Sequence, residues 1–364
     1  MKQIEFAFIV HPLTMDDFLK KFGFMRHLPQ FLARAAASFF PPVVASYISG
    51  ISSPYNSTAG CFIGVTLTSE QMLQLPQEVS LRKIIAAGKK AAQAGAKIIG
   101  LGAMTAVVGD AGITVAQNLN IAVTTGNSYT VATALEGTYR AAKLMGLDME
   151  RARIAVLGAS GSIGSACARI LARKANFLTL TARNVSRLER LAEDILADTG
   201  LAVKVTTDVT EAVKKADVII AVSGAAGSII DPEDLKPGAV VCDVARPRDV
   251  SAKVAQKRDD VLVIEGGIVE VPGDVQLNFD FGFPPGTAYA CMAETMILAL
   301  EKRFENFSLG RELHVSRIDE ISTLAAKHGF KLAGLRSFER PVSTETIQNI
   351  KEKARLKNFC KANN

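Results

Sequence analysis

The chain of 364 residues contains no tryptophan, four histidines and five cysteines. The cysteines form no Cys-x-x-Cys pair and no Cys/His cluster at the spacing of zinc ligands, which argues against a structural metal and against a disulfide framework. We therefore expect no metal site and a reducing, cytoplasmic compartment. With 48% hydrophobic and 21% charged residues, the chain can build a core for one large domain or two without disulfides.

Between Ala35 and Ser69 the sequence has no charged residue. A bilayer span is nevertheless not expected, because prolines and glycines interrupt this run repeatedly. The apolar part of the N-terminus is too short for a signal peptide and contains Glu5. These observations predict at most peripheral membrane contact, through a buried or lipid-contacting surface.

Acidic residues are outnumbered by basic ones, which gives a formal charge of +6 and a pI near 9.0. The basic residues are dispersed except between Lys351 and Lys357, and no nucleic-acid-binding motif accompanies them. Nucleic acid is therefore not expected as a partner. The basic run near the C-terminus is typical of a solvated helix, although a mildly positive surface also suits an acidic protein or a phosphorylated carrier.

Hydrophobic periodicity predicts alternating strands and helices along the whole chain. In the first part we expect strands at Ile4–Val10, Lys97–Leu101 and Ile121–Thr124 and helices at Met15–Phe22, Leu81–Ala94 and Ser128–Gly146. Six further strands are expected at residues 154–157, 177–181, 203–206, 218–222, 240–243 and 261–264, with later helices at Cys291–Phe304 and Val315–His328.

This order predicts an α/β protein with two successive sheets. An N-terminal parallel α/β substrate domain is followed by a doubly wound NADP-binding domain of the Rossmann type, and C-terminal helices pack back. The expected segments are residues 1–127 for acyl or other substrate binding, 128–150 for a connecting helix, 151–290 for the Rossmann domain, 291–340 for returning helices and 341–364 for a basic helix or tail.

A Gly-x-x-Gly-x-x-Gly motif at Gly158, Gly161 and Gly164 follows a predicted strand and opens a predicted helix. The first glycine permits the turn, the middle one lets a pyrophosphate approach the backbone, and the last allows close helix packing. Free N–H groups of the helix then face the phosphates. We expect dinucleotide binding by this turn, with contacts from Ser160, Ser162 and Ile163 between the glycines.

The residues after the second strand of this domain decide between NAD and NADP. An NAD enzyme carries an acid there for the ribose hydroxyls, whereas this chain has Arg183, Asn184 and Arg187. Arginines at this place can bind a 2'-phosphate, so we predict NADPH; the alternative is that they are solvated residues at a helix start. Ser223, Gly266 and Gly267 follow later strands and are further candidates for cofactor contacts, although ordinary turn chemistry also explains them.

Cys291 stands at the start of a predicted helix, just after a loop at Pro284–Thr287. A helix N-terminus favours a thiolate, and such a thiolate beside a nicotinamide could hold an acyl group as a thioester for reduction. Glu294 is three residues further on, so it shares a helix face with Cys291 and could relay a proton or cap a neighbouring N–H. The competing interpretation is an inert buried cysteine, which we favour for Cys61 in its apolar run.

A polar cluster at Thr124–Thr130 lies where a predicted strand ends and a helix begins, which is where α/β folds place ligand contacts. Asn127 could hold an oxyanion or the substrate carbonyl, or the cluster could serve only as a helix cap. His11 directly follows the first strand and is a second candidate for catalysis, although a lone histidine often satisfies a local hydrogen bond.

Taken together, several motifs resemble the long-chain acyl-[acyl-carrier-protein] reductases of cyanobacteria, from about residue 4 to about residue 334. They are His11 and residues 124–127, 158–164, 180–184, 266–270, 290–294 and 306–311. The resemblance implies an enzyme that forms fatty aldehydes: the cysteine that aligns with Cys291 takes the acyl group from the carrier as a thioester, and NADPH reduces it. The sequence departs from the family between Phe22 and Pro54 and in residues 335–364.

Our hypothesis is therefore NADPH-dependent reduction of a fatty acyl thioester, with acyl carrier protein or acyl-CoA as donor and an aldehyde-consuming enzyme as a further partner. Phe39, Phe40 and Val43 are expected to line an acyl tunnel. One rival is a two-domain NADP dehydrogenase of a small hydroxy or keto acid, similar to shikimate dehydrogenase. It would need a lysine–aspartate pair in the cleft, for which the first domain offers Lys97 and Asp110, but not in that family's pattern. Another rival is a non-catalytic NADP-sensing or carrier-binding protein.

Overall fold

The computed structural model describes residues 4–12, 14–16, 19, 32, 39–225, 227–245 and 248–362. The chain forms two compact units. The first unit consists of Met1–Gly126, Glu270–Arg311 and Ile321–Lys331, and the second of Asn127–Val269, Glu312–Glu320 and Leu332–Asn364.

Both units alternate strands with helices. The strands are β1 (Phe6–Val10), β2 (Val43–Ser52), β3 (Ser57–Gly64), β4 (Ile98–Gly100), β5 (Ala122–Thr124), β6 (Arg153–Leu157), β7 (Phe177–Thr181), β8 (Lys204–Thr206), β9 (Val218–Ala221), β10 (Val240–Asp243), β11 (Leu262–Glu265), β12 (Ile268–Glu270), β13 (Gly273–Gln276), β14 (Thr287–Tyr289), β15 (Lys331–Leu332), β16 (Arg336–Ser337) and β17 (Arg340–Pro341). The helices are α1 (Ser69–Gln74), α2 (Gln77–Gln93), α3 (Met104–Val107), α4 (Ile113–Gln117), α5 (Asn127–Met145), α6 (Ser162–Leu171), α7 (Val185–Thr199), α8 (Val209–Lys215), α9 (Ala252–Lys257), α10 (Ala290–Leu300), α11 (Val315–His328) and α12 (Thr344–Ala362), with a 3-10 turn at Pro232–Asp234.

The second unit is built on a six-stranded sheet with the order β11-β10-β9-β6-β7-β8. All of its neighbouring strands are parallel. Apolar side chains line both faces: Ile154 and Val156 of β6 belong to one core cluster, and Ala155 and Leu157 to another. Such two-sided burial is typical of a doubly wound sheet, and the predicted fold class is confirmed.

The first unit is built on a sheet with the order β13-β2-β3-β1-β4-β5. The strands β3, β1, β4 and β5 are parallel, as expected for an α/β domain. At the other edge, β2 is antiparallel to β3 and β13 is antiparallel to β2. The hairpin of β2 and β3 explains much of the uncharged run between Ala35 and Ser69, because six of the eight residues of β3 are buried.

The two faces of the first sheet are covered differently. Ala7 and Cys61 face a cluster that includes residues of α2, whereas the rings of Phe8 and Phe62 meet edge-on at 6.4 Å. Helix α10 packs against β1, β3 and β4. Gly100 makes room for this packing, because a Cβ there would lie 2.4 Å from the Phe8 ring and 2.2 Å from the Oγ1 of Thr295 in α10.

The compact units differ from the segments expected from the sequence. The expected Rossmann domain reached residue 290, whereas Glu270–Arg311 belongs to the first unit. The reason is the packing of α10, whose apolar residues are buried on the first sheet. The expected helix at Met15–Phe22 lies largely outside the described residues, and so does much of the segment between Phe22 and Pro54.

Within the described ranges, no helix combines the length and the apolar character needed to cross a bilayer. Lys351–Lys357 lies within α12, as the charge pattern predicts.

Candidate active site

Helix α10 begins with Ala290, and Cys291 is its second residue. Tyr289, which precedes the helix, makes no capping hydrogen bond through its side chain, and the first turn carries no acidic residue. Because the N–H groups at a helix N-terminus favour negative charge, this position suits a thiolate. Cys291 is half-buried, whereas three other thiols are fully buried: Cys61, Cys167 and Cys242.

The backbone of Gly126 lies directly against that of Cys291. A Cβ on Gly126 would lie 2.3 Å from the Cα and 2.5 Å from the Cβ of Cys291, and the φ of Gly126 is +72°. No side chain fits into that gap, and a positive φ favours glycine as well. Glycine at this position therefore lets the turn after β5 reach the start of α10.

A buried polar pair joins β5 to α10. Glu294, one helical turn after Cys291, is fully buried, and its carboxylate accepts a short hydrogen bond from the hydroxyl of Thr124, which is fully buried as well. The Thr124 hydroxyl in turn accepts a hydrogen bond from the N–H of Gly126 at 3.3 Å. A buried carboxylate needs such donors, so the pair fixes both the turn and the helix beside the thiol.

A third segment supports the same turn from the edge of the sheet. The Asn306 Oδ1 accepts a hydrogen bond from the N–H of Val123 at 2.9 Å, and the N–H of Phe307 donates to the carbonyl of Val123 at 3.0 Å. The buried hydroxyl of Thr125 donates to the carbonyl of Ser308. Residues 124–126, 291–294 and 306–308 thus form one cluster within the first unit, which we call the thiol cluster.

The glycine turn of the second unit has the form that the motif predicts. Gly158 has a φ of +81°, and a Cβ there would lie 2.7 Å from the carbonyl oxygen of Val222. A Cβ on Gly164 would lie 2.4 Å from the carbonyl oxygen of Gly158, so neither position tolerates a side chain.

Gly161 differs from these two glycines, because space remains beside it. A Cβ on Gly161 would meet one atom within 4 Å, the carbonyl oxygen of Gly158 at 3.3 Å, and Gly161 is exposed. It precedes α6 and provides no side-chain cap. The N-terminus of α6 can therefore receive a pyrophosphate over Gly161, and the turn fits a dinucleotide.

Asn127 supports the phosphate turn. It is the first residue of α5, and its side-chain amide donates to the hydroxyl of Ser162, the first residue of α6, at 3.2 Å. Ser160 and Ile163 are half-buried in the same turn. Contact between Asn127 and a substrate carbonyl stays a prediction.

Arg183 and Arg187 follow β7 and are both exposed. Neither guanidinium has an ion pair with any residue in the described part of the chain. Asn184 caps α7, because its side chain accepts a hydrogen bond from the N–H of Arg187 at 3.0 Å. Two cations at this place suit a 2'-phosphate, while the position of Asn184 is accounted for by capping.

Asp249 holds the loop after β9. Ser223 donates its backbone N–H, at 2.7 Å, and its hydroxyl to the fully buried Asp249 carboxylate. Burial raises the pKa of Asp249, although the hydrogen bonds from Ser223 act in the opposite direction. The role of Asp249 was not predicted, since a single acid in a loop carries no sequence signal. Ser223 is thereby fixed beside Gly158, where a Cβ would lie 2.8 Å from the Ser223 Cα.

The two glycines after β11 are required by the path of the chain. A Cβ on Gly266 would lie 2.6 Å from the Val244 Cγ2, and Gly267 has a φ of +78°. The preceding residue, Glu265, is buried and pairs with Arg248 at 2.6 Å. Cofactor contacts by Gly266 and Gly267 stay predictions.

Comparisons with known proteins relate the chain to nicotinamide-dependent enzymes. The family model described as shikimate/quinate 5-dehydrogenase matches residues 140–265, all of which lie in the second unit. The long-chain acyl-[acyl-carrier-protein] reductase of Synechococcus elongatus is 28% identical over 344 residues, which are 90% of this chain and 98% of that protein. The chain is a distant relative of this reductase. The comparisons support an oxidoreductase with an NAD(P)-binding Rossmann fold.

Two further comparisons cover parts of longer or less similar proteins. The aminotransferase PigE of Serratia sp. is 30% identical over 360 residues, and these are 96% of this chain but 42% of PigE. The chain thus spans less than half the length of PigE. A structure of Thermococcus litoralis Δ1-pyrroline-2-carboxylate reductase with NADH and L-proline is 18% identical and covers 37% of this chain and 42% of that chain, with a TM-score of 0.31. A TM-score of that size supports no conclusion about function.

His11 has local hydrogen bonds of the kind that its alternative interpretation predicts. Its Nδ1 lies 3.0 Å from the carbonyl oxygen of Pro12, and its Nε2 lies 3.3 Å from the N–H of Met104, from which it accepts. Burial lowers the pKa of His11. Because Nε2 accepts from an N–H and Nδ1 faces a carbonyl oxygen, this pattern places the proton of the neutral ring on Nδ1. The side chain anchors the loop before α3, and a catalytic role stays a prediction.

A row of aromatic residues leads to the thiol helix and was not predicted from the sequence. We call Phe279, Phe281, Phe283 and Tyr289 the aromatic row. Adjacent ring centroids within it lie 4.6 Å, 6.3 Å and 4.5 Å apart, and all four residues are half-buried. The alternation Phe-Asp-Phe-Gly-Phe is the signal that could have revealed it, since a period of two places side chains on one side of an extended chain.

The expected tunnel residues lie elsewhere on the first unit. Phe39 is 84% exposed and Val43 is 37% exposed, so neither side chain is enclosed. A shallow cavity of about 600 Å³ is lined by Val43, Val44, two prolines and residues of α2. Among the described residues, no group of three or more His, Cys, Asp or Glu side chains could hold a metal ion.

Proposed function

We propose that the protein reduces a fatty acyl thioester to a fatty aldehyde with NADPH, through an acyl group held on Cys291. The observation that carries this proposal is the backbone contact between Gly126 and Cys291 at the start of α10. This contact and the buried Thr124–Glu294 pair hold a half-buried thiol in one place. An inert core cysteine needs no such support.

The first step forms the acyl-enzyme. The Cys291 sulfur attacks the thioester carbonyl carbon, the new C–S bond forms, and the bond to the pantetheine sulfur breaks. The pantetheine thiolate leaves and takes up the proton that the Cys291 thiol has lost. The positive end of α10 favours the thiolate and the negative charge that develops beside it.

The second step releases the aldehyde. When bound, the nicotinamide cofactor supplies a hydride equivalent to the carbonyl carbon of the acyl group. The resulting hemithioacetal oxyanion re-forms its C=O bond as the C–S bond breaks, which releases the aldehyde and returns the Cys291 thiolate. Glu294 positions this reaction by holding the turn at Thr124 and Gly126.

Arg183 and Arg187 support the choice of NADPH over NADH. Both guanidinium groups are exposed after the second strand of the Rossmann sheet, the place where NAD enzymes carry an acid. A 2'-phosphate would give them charge-assisted hydrogen bonds. Gly158, Gly161, Gly164 and the N-terminus of α6 would hold the pyrophosphate.

We propose acyl carrier protein or acyl-CoA as the acyl donor and an aldehyde-consuming enzyme as a further partner, in the cytoplasm. The support is the relative from Synechococcus elongatus, which this chain covers over 98% of its length and whose name specifies an acyl carrier protein. The formal charge of +6 would suit an acidic carrier. The proposal includes no nucleic-acid partner and at most peripheral contact with a membrane.

The match to the shikimate/quinate 5-dehydrogenase family covers only residues of the second unit, so it favours the rival dehydrogenase only in its cofactor-binding part. The residues expected to serve as its lysine–aspartate pair have structural partners. Lys97 pairs with Glu5 at 3.7 Å and lies over the Phe304 ring. Asp110 accepts hydrogen bonds from the N–H and the hydroxyl of Thr114.

Mass spectrometry of the intact protein tests the first step. Incubation with a fatty acyl-CoA or acyl carrier protein, without NADPH, should add one acyl group, and Cys291→Ala should abolish it. Cys360→Ala is the matched control, because Cys360 is an exposed thiol in α12. An adduct of equal yield in Cys291→Ala would refute the assignment. NADPH oxidation with a panel of acyl thioesters and keto acids then separates the reductase from its rivals.

A further inference from the structure

The aromatic row is held in place at both of its ends within the first unit. At the start, the Asn278 side chain donates to the carbonyl of Tyr47 at 3.0 Å, and the Ser46 hydroxyl donates to the carbonyl of Leu277 at 3.1 Å. At the other end, the Thr287 hydroxyl donates to the carbonyl of Pro284 at 2.7 Å, and β14 leads into α10. The segment between these ends therefore presents its rings as a fixed surface.

The floor beneath this surface is already filled. Phe62 is fully buried, and its ring lies 5.6 Å from that of Phe279 and 5.3 Å from that of Phe281. The ring of Phe8 closes the other side of Phe62 at 6.4 Å. Phe279 and Phe281 thus cover Phe62 with one side of their rings, and because they are half-buried they keep part of their apolar surface in water, which costs about 25 cal/mol per Å².

The row ends at the start of α10. Phe283 and Tyr289 meet edge-on with centroids 4.5 Å apart, and Tyr289 is two residues before Cys291. An acyl group bound to the Cys291 sulfur has to place its hydrocarbon chain on a surface that begins near this point. The rings pack as a cluster, since the Phe281 ring also lies 6.4 Å from that of Tyr289. The four half-buried rings together offer an apolar surface with no charged side chain among them.

We propose that the aromatic row is the binding surface for the hydrocarbon chain of the acyl group, so that these rings set the preference for long acyl chains. The inference rests on the proposed function for the identity of the occupant, an unbranched alkyl chain joined to Cys291 through its carbonyl carbon. Asp280 lies between two of the rings in sequence and accepts a hydrogen bond from the N–H of Gly282 at 2.7 Å, which keeps its carboxylate in the local turn.

The test is the dependence of kcat/KM on acyl-chain length, measured with CoA thioesters from butanoyl to hexadecanoyl. In the wild type, each methylene that reaches the row should raise kcat/KM about four-fold, from ~0.8 kcal/mol per buried methylene. Phe283→Ala and Phe281→Ala should flatten this slope, so that the loss of kcat/KM relative to wild type grows with chain length. Phe283→Leu keeps an apolar surface and should restore most of the slope.

Phe304→Ala is the matched control, because Phe304 is a half-buried phenylalanine of the same unit that contacts Lys97 and lies outside the row. It should keep the wild-type slope. A slope equal to that of wild type in both Phe281→Ala and Phe283→Ala, with thermal melting showing folded protein, overturns the inference while acylation of Cys291 still supports the proposed function.

Equilibrium binding of S-alkyl pantetheine thioethers tests the aromatic row independently of the proposed acylation of Cys291. These compounds cannot acylate a thiol, so they report on the row alone. If no thioester acylates Cys291, the proposed function fails. The aromatic row would still be supported as an alkyl-binding surface if the affinity for the thioethers rises with alkyl length in the wild type and not in Phe283→Ala. Affinity independent of alkyl length in the wild type would overturn it.

Discussion

The thiol cluster of the first unit and the phosphate turn of the second are built in different ways. The phosphate turn lies within one strand–turn–helix, β6 to α6, and its glycines contact each other or the neighbouring loop. The thiol cluster combines three segments, at residues 124–126, 291–294 and 306–308. More than a hundred residues separate the first segment from the second, and the rest of α10 separates the second from the third. The difference indicates that a local change should damage cofactor binding alone in one case and the whole catalytic arrangement in the other.

Gly126→Ala should have the largest effect. Its Cβ would overlap the backbone of Cys291, and φ is positive, so the turn and α10 have to move apart. A displacement of about 1 Å can cost about 100-fold in rate. We expect acylation of Cys291 to slow by about that factor while the Kd for NADPH stays unchanged, as measured by stopped-flow mass spectrometry and fluorescence titration.

Gly161→Ala is the matched change in the second unit, where the new methyl group meets one backbone oxygen at 3.3 Å. It should weaken NADPH binding and leave acylation without cofactor unchanged. The contrast between the units would be lost if both variants impaired the same half-reaction to the same extent.

Thr124→Val should have the next largest effect. It removes the hydroxyl that donates to the buried Glu294 carboxylate, and an unsatisfied buried group costs about 1–3 kcal/mol. We expect the free energy of unfolding to fall by about that amount in denaturant titrations, together with a slower acylation step. Thr124→Ser keeps the hydroxyl and should recover most of the loss; equal stability of the valine variant and the wild type would contradict the role of the pair.

Arg183→Ala should act on cofactor choice only. Loss of a charge-assisted hydrogen bond of about 1.5–3 kcal/mol predicts that the Kd for NADPH rises about ten- to a hundred-fold, with that for NADH unchanged. Arg190→Ala is the control, because Arg190 is an exposed arginine within α7, beyond the turn that carries Arg183. A parallel loss of affinity for both cofactors would instead indicate a general effect on the turn.

The smallest effect concerns the reactivity of the thiols with pH. Burial raises the pKa of Cys61 to about 11 and raises the pKa of Cys167 as well, so both thiols stay protonated near neutral pH. Iodoacetamide should therefore label Cys291 and Cys360 first, and labelling of Cys61 should increase only as pH rises towards 11. Peptide mapping checks this order; rapid labelling of Cys61 at pH ~7 would show that its strand opens readily.

Most of the second unit is predictable from the sequence. The predicted strands at residues 177–181 and 240–243 coincide with β7 and β10. These elements are buried on both faces or carry strong periodicity, which the residue pattern reports directly. The glycine motif adds a requirement for specific φ angles that is readable at single positions.

The first unit is less predictable because its contacts are long-range. Strands β2 and β13 pair although more than two hundred residues separate them, and β13 carries no apolar run. The aromatic row depends on the same pairing, which brings residues 278–289 beside Phe62. Sequence periodicity reports which residues are buried, but not which distant segment covers them.

By itself, the sequence determined the second sheet, the phosphate turn and the place of the Cys291 thiol at the start of a helix. Each rests on short-range physics: strand periodicity, glycine φ angles and the electrostatics of a helix N-terminus. Only the tertiary structure decided that Gly126 lies against Cys291, that Thr124 satisfies Glu294 and that three phenylalanines pack together with Tyr289 before α10. Those contacts join segments far apart in the chain, and their geometry follows from packing rather than from any local pattern.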